Sequence, residues 1–152
     1  MLIFPIFLLF DQHIRKSLDR LERLVAQDSP FYLQIAPYAP HIQKDAKRPI
    51  PLKRHMNMFT NATAPRNPNW NPADEFQLKK GGWLRNLPLM NESVIEFADL
   101  TYRSRAQALQ GVDEIIEDVI RMLEAKGIID NTYSKLIKIC RGYQRRIGVV
   151  RL

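Results

Sequence analysis

One cysteine, Cys140, stands in 152 residues. An intrachain disulfide is therefore excluded, and so is a metal site built from cysteines. Glycine is scarce, with six residues, and none lies in a phosphate-cradling GxGxxG or GxxxxGK pattern. There is no HExxH pair and no serine in a nucleophile-elbow context. Long apolar runs are also missing. The best, residues 1–10 (MLIFPIFLLF), is about half of the roughly 20 residues a bilayer span needs. It lacks the basic start and small-residue cleavage site of a signal peptide. It reads as a buried strand or an abnormal terminus, with a truncated signal sequence as the alternative. Acid is absent from residues 134–152, where Lys135, Lys138, Arg141, Arg145, Arg146 and Arg151 account for six of the net +7. The preceding 133 residues are left with +1, so the basicity belongs to the tail and is no argument for a nucleic-acid-binding body.

What is present suits one globular domain: an ordinary 45% apolar content in a length sufficient for a core. Asp11 can cap a helix running to about Ala26. Ile14, Leu18, Leu21, Leu24 and Val25 repeat at three and four along it. Phe31 to Ile35 (FYLQI) is a short aromatic and β-branched run, as strands prefer. Helix, short turn and strand together predict an α/β layered fold. Nine of the ten prolines fall between Pro30 and Pro88, which leaves no room for a long helix there. Trp70, Phe59, Phe76 and Trp83 in the same stretch predict a long ordered loop lying on the domain rather than a linker. A second helix starts at Asn91 or Ser93. Its stripe is Leu109, Val112, Ile115, Ile116, Val119, Ile120 and Leu123, with Asp113, Glu114, Glu117 and Asp118 on the wet face. Gly111 is a candidate bend, Gly127 a natural stop, and a second strand should begin near Thr132.

The functional centre of the sequence is residues 29–41, SPFYLQIAPYAPH. Pro37 and Pro40 end the strand, since proline cannot donate to a ladder. His41 is thereby delivered to the loop beyond the strand's carboxyl end, where open α/β sheets bind ligands. In the Pro-rich loop, Lys53, Arg54, His55 and Arg66 are basic groups suited to an anionic substrate. Asn61-Ala62-Thr63 and Asn91-Glu92-Ser93 fit the N-glycosylation acceptor pattern. Cys140, in a basic context, has no histidine near it in sequence and is not read as a catalytic thiol.

Several segments, in order, resemble the sulfatase family, in its fungal arylsulfatase and N-acetylglucosamine-6-sulfatase branch. They are PFYLQIAPYAPH from Pro30, Lys53-Arg54-His55, APRNPNWNP from Ala64, YRSRAQALQGVD from Tyr102 and GIIDNTY from Gly127. The resemblance covers about residues 14–133. It implies an alkaline-phosphatase-like α/β fold, with short strands flanked by helices and a long Pro-rich loop. It also implies hydrolysis of sulfate esters with calcium and a formylglycine made from cysteine, in a secreted or secretory-pathway glycoprotein. The family histidine matching His41 contacts the sulfate and is a candidate acid for the leaving oxygen, a role suited to imidazole. Lys53, His55 and Arg66 match family loop positions on the substrate side.

The departures are as informative. The family's Cys-x-Pro/Ala-x-Arg motif, its early aspartate pair and its Thr-Ser-Asp-Asn-Gly segment are absent, so ligands for neither calcium nor formylglycine are expected here. The resemblance stops at Tyr133. The expected organisation is an atypical apolar segment at 1–13, a partial sulfatase domain at 14–133 and a basic non-family tail at 134–152, the ends resembling frame or splice-boundary artefacts. The reading is a sulfatase fragment, inactive alone and, with its open strand edges, poorly soluble. The alternative is a non-catalytic protein holding an anionic glycan or nucleic acid through its basic tail. The fragment reading has a sulfate ester as substrate, no specific nucleic acid and no transmembrane span.

Overall fold

A computed structural model describes residues 6–43, 47–72, 74–138 and 145–151. Its elements are helix α1 (Ile6–Val25), strand β1 (Phe31–Ile35), the short helix α2 (Asp74–Gln77), the long helix α3 (Glu92–Ala125), and strands β2 (Thr132–Lys138) and β3 (Arg145–Arg151). Single 3-10 turns occur at Lys53–His55, Gly82–Asn86 and Ile129–Asn131. The chain divides into two compact units. One joins Met1–Met58 to Ser104–Leu152, and the other is Phe59–Arg103.

The first unit is a two-layer α/β arrangement. Its sheet is antiparallel, in the order β1-β3-β2. Phe31, Leu33 and Ile35 of β1 lie opposite Arg151, Val149 and Ile147 of β3, so these share one face. That face meets Ile14, Leu21, Leu24 and Val25 of α1 and Ala108, Val112, Ile115, Val119 and Leu123 of α3 in a single apolar cluster. Tyr32, Gln34, Tyr133 and Lys135 occupy the other face and are exposed. Leu123 is fully buried. Leu123→Ala is expected to lower unfolding free energy by about 2–5 kcal/mol, a loss read from the urea midpoint.

Local chemistry explains the ends of α3. Asn91 caps it, its Oδ1 accepting the Val94 N–H at 3.1 Å, as the sequence predicts. At the other end Gly127 adopts φ +64°. The Gly127 N–H donates to the Glu124 carbonyl at 2.9 Å and the Ile128 N–H to the Leu123 carbonyl at 3.1 Å. This is the paired closure that a left-handed glycine makes possible. The helix runs unbroken through Gly111, which is buried.

One expectation needs correction. Residues 6–10 are helical rather than a buried strand, so Asp11 lies inside α1 and does not cap it. The spacing of Phe7, Phe10 and Ile14 simply extends the helical repeat backwards. Residues 1–5 lie outside the described part. The expected basic tail at 134–152 contains β3, the central strand of the sheet. Ile147 and Val149 are buried in the core, and Arg151 pairs with Asp28 at 3.0 Å. Cys140 lies outside the described residues. Residues 59–88 of the Pro-rich stretch belong, with the first turns of α3, to the second unit.

Candidate functional site

His41 follows β1 by a tight bend. Pro37, Ala39 and Pro40 are buried there while Tyr38 is exposed. The His41 N–H donates to the Tyr38 carbonyl at 3.0 Å, and the two rings lie 5.0 Å apart. The His41 Nδ1 donates to the Ile42 carbonyl at 2.5 Å, since a carbonyl can only accept. The proton on Nδ1 leaves Nε2 as the basic nitrogen of a half-buried imidazole. A histidine with its tautomer set by a backbone carbonyl is oriented to exchange a proton at one atom.

Lys53 and His55 sit together on the 3-10 turn Lys53–His55, behind the buried Leu52. Lys53 is exposed and His55 is buried. The Arg54 guanidinium engages both oxygens of Glu114 on α3. His55 donates from Nε2 to Oε1 of the same carboxylate at 2.8 Å, which leaves its buried Nδ1 without a protein partner. Two helical turns earlier, the Gln107 Nε2 donates to the carbonyls of Met56 and Met58 at 2.8 and 2.7 Å. Residues seven apart share a helix face, so α3 grips the turn at two levels. Glu114 is not the solvated acid its stripe predicts. It pairs with Arg54, accepts from His55, and leaves Lys53 facing water.

The Arg54 hydrogen bonds hold the Glu114 carboxyl below its usual 4.5, outweighing the partial burial that opposes them, and His55 adds to the effect. A depressed carboxylate stabilises the fold above its ordinary pKa and loses that contribution as pH falls through its folded value. The melting temperature should therefore be flat above about pH 6 and fall progressively below about pH 4.5. Glu114→Gln should flatten part of that acid limb in a pH series of thermal melts.

Arg66 belongs to the second unit. Its Nη2 pairs with Asp99 Oδ2 at 2.7 Å, its Nη1 donates to the Ala64 carbonyl at 2.9 Å, and the guanidinium lies 4.3 Å over the Trp70 ring. Asp99 Oδ1 accepts the Ala64 N–H at 2.9 Å. The Arg66 contact, with this N–H, lowers the Asp99 carboxyl pKa. Asn61 and Asn91 are exposed. Thus the structure joins Arg54 and His55 at Glu114, gives Arg66 its own acid, and gives His41 local partners. Glu114 and Asp99 escaped the sequence reading because a lone acid at helical spacing has no signature of its partner.

Among the described residues no three His, Cys, Asp or Glu side chains converge to hold a metal ion. In the sequence, Cys140-Arg141-Gly142-Tyr143-Gln144 does not match the Cys-x-Pro/Ala-x-Arg pattern of a formylglycine precursor. Among the described residues no helix is long and apolar enough to cross a membrane.

Comparison with known proteins bears on the sequence. A sulfatase, ppz1, of Metarhizium majus (strain ARSEF 297) is 37% identical over 122 residues, which cover 78% of this chain and 28% of the relative. An arylsulfatase of Volvox carteri is 33% identical over 145 residues, 86% of this chain and 22% of its own. An N-acetylglucosamine-6-sulfatase of Capra hircus is 34% identical over 120 residues, 77% and 20% respectively. No family model and no solved structure matches the chain. Over a partial segment, the chain is homologous to the sulfatase family, on its arylsulfatase and N-acetylglucosamine-6-sulfatase side. It spans 20–28% of the length of these three relatives.

Proposed function

We propose that this chain represents one part of a sulfuric ester hydrolase of alkaline-phosphatase-like fold, and that it carries the histidine that serves the sulfate ester. The observation that carries the reading is His41: it sits at the end of β1, in the segment similar to sulfatases, with Nδ1 committed to a backbone carbonyl. When the S–O bond of a sulfate ester breaks, the departing oxygen needs a proton. Protonated Nε2 of His41 supplies it, and the neutral ring then takes a proton back from water. Lys53 is an exposed cation of the Pro-rich stretch and would draw in the sulfate, while Glu114 engages Arg54 and His55 and Asp99 pairs with Arg66. Calcium and formylglycine are left to a longer polypeptide, and no step here passes through them. The reading includes the secretory pathway, with Asn61 and Asn91 as glycan acceptors.

Two measurements test this. The purified 152-residue chain should not turn over p-nitrophenyl sulfate with added calcium; turnover would overturn the partial-enzyme reading. A Volvox arylsulfatase whose matching segment is replaced by residues 14–133 of this chain should retain aryl sulfate hydrolysis. A folded chimera whose activity is indifferent to His41→Ala would overturn the assignment of His41.

A further inference from the structure

We propose that Tyr38 is a positioning residue for His41, fixing the plane and the tautomer of the imidazole through the peptide group between Ile42 and Gln43. The inference rests on the reading of His41 as proton donor to the leaving oxygen of a sulfate ester. It deepens that reading by naming what aims the donor.

The peptide group is held along both edges. His41 Nδ1 donates to the Ile42 carbonyl at 2.5 Å. The Tyr38 hydroxyl donates to the same oxygen at 3.3 Å. A carbonyl oxygen has two lone pairs, so it can accept both. On the other edge of the same unit, the Gln43 N–H donates to the Lys47 carbonyl at 2.9 Å. A peptide unit is planar, so holding its N–H also aims its C=O. The Gln43 side chain extends the clamp, its Nε2 donating to the Arg48 carbonyl at 2.8 Å. The acceptor that sets the His41 tautomer is thus itself fixed, and Tyr38 supplies the side-chain hold on its oxygen.

The Tyr38 ring acts on the imidazole directly as well. The two ring centroids lie 5.0 Å apart with the planes tilted by 38°, a spacing within the range of paired aromatic rings. An imidazole turning about its Cβ–Cγ bond would take Nδ1 off the Ile42 carbonyl and carry Nε2 away from the leaving oxygen. The neighbouring ring opposes that turn, and the hydroxyl keeps the acceptor where Nδ1 meets it. The core has little use for this side chain. Pro37, Ala39 and Pro40 are buried around it, whereas Tyr38 is 52% exposed. The turn does not need the phenol either. The His41 N–H donates to the Tyr38 backbone carbonyl at 3.0 Å, a bond that any residue at this position can accept. Side-chain changes at Tyr38 therefore reach the imidazole without dismantling the turn.

Two measurements test this. The first uses the full 152-residue chain with isotopically labelled histidine, read by two-bond proton–nitrogen correlation at about pH 9, where imidazoles are neutral. His41→Gln identifies the His41 signals. In the parent the ring proton should reside on Nδ1. Tyr38→Phe, which keeps the ring, should shift the tautomer ratio about fivefold toward Nε2–H, the worth of one hydrogen bond. Tyr38→Leu should shift it further. The His55 signals, with Nε2 donating to Glu114, should stay in place and report an intact fold. The second measurement uses the arylsulfatase chimera. Tyr38→Leu should lower kcat by about 10–100-fold, the cost of lost aim at a reacting atom, with KM for p-nitrophenyl sulfate little changed. Combined with His41→Ala it should add no further loss, because a positioning residue acts only through the group it positions. An unchanged His41 tautomer in Tyr38→Leu overturns the proposal and leaves the reading of His41 standing. So does an unchanged kcat where His41→Ala is impaired, or a loss that adds in full to that of His41→Ala. A shifted tautomer in a chimera indifferent to His41→Ala upholds the grip of Tyr38 on the ring and overturns instead the reading of His41 as proton donor.

Discussion

Chains shortened to end at Gln144 should lose the cooperative unfolding transition of the 152-residue chain. Removing β3 deletes five residue pairs with β1 and seven with β2. Neither outer strand then has a partner, because β1 and β2 meet only through β3. The core loses Ile147 and Val149, which are 3% and 0% exposed. Each such side chain contributes about 1.5–3 kcal/mol by burial. The backbone ladders come on top, against a total stability on the order of 5–15 kcal/mol for a domain. Val149→Asp should approach the same result within an intact chain, because an unpaired charge would have to enter the core. Urea titration followed by far-UV circular dichroism reads both. A shortened chain that unfolds within about 1 kcal/mol of the parent would remove β3 from the folded core.

The second large effect concerns His41 in the arylsulfatase chimera. His41→Ala should lower kcat by about 10²–10⁴-fold, the contribution expected of a positioned general acid. KM for p-nitrophenyl sulfate should change far less, since the proton is needed as the bond breaks rather than when the ester binds. The leaving group offers a sharper check. An ester whose alcohol is a good leaving group needs less protonation, so the defect should shrink as the alcohol becomes more acidic. His41→Gln keeps a polar group but has no proton to give, and should be as impaired as His41→Ala. Equal losses across all esters would assign His41 to binding instead.

The parts of the fold legible in the sequence are those whose causes are local. Asn91, the stripe from Val112 to Leu123 and Gly127 mark the start, face and end of α3 within a few turns. Phe31 to Ile35, flanked by proline, marks β1, and with it the position of His41. Pairing is a different matter. In Arg145 to Arg151 the β-branched Ile147, Val149 and Val150 sit among three arginines, and a charge count hides the alternation. Its partners lie far back in the chain, so nothing nearby announces a central strand. The same holds for side chains that meet across the fold. Glu114 sits beside Asp113, Glu117 and Asp118 on α3 and is singled out only by Arg54 and His55, about sixty positions earlier. In the Pro-rich stretch the sequence singles out the aromatics, but the hydrogen bonds there come from Asn71 and Gln77, while Trp83 is exposed.

The position of β3 also sets a timetable. β1 ends at Ile35 and its partner begins at Arg145. At about 5–20 residues per second, a nascent chain would hold FYLQI unpaired for roughly 6–20 s. Loop closure over such a separation is slow even after synthesis. During that interval a short apolar strand with both edges open is a template for any other extended chain. The yield of folded protein should then depend on temperature and chaperone supply during synthesis more than on the stability of the finished sheet.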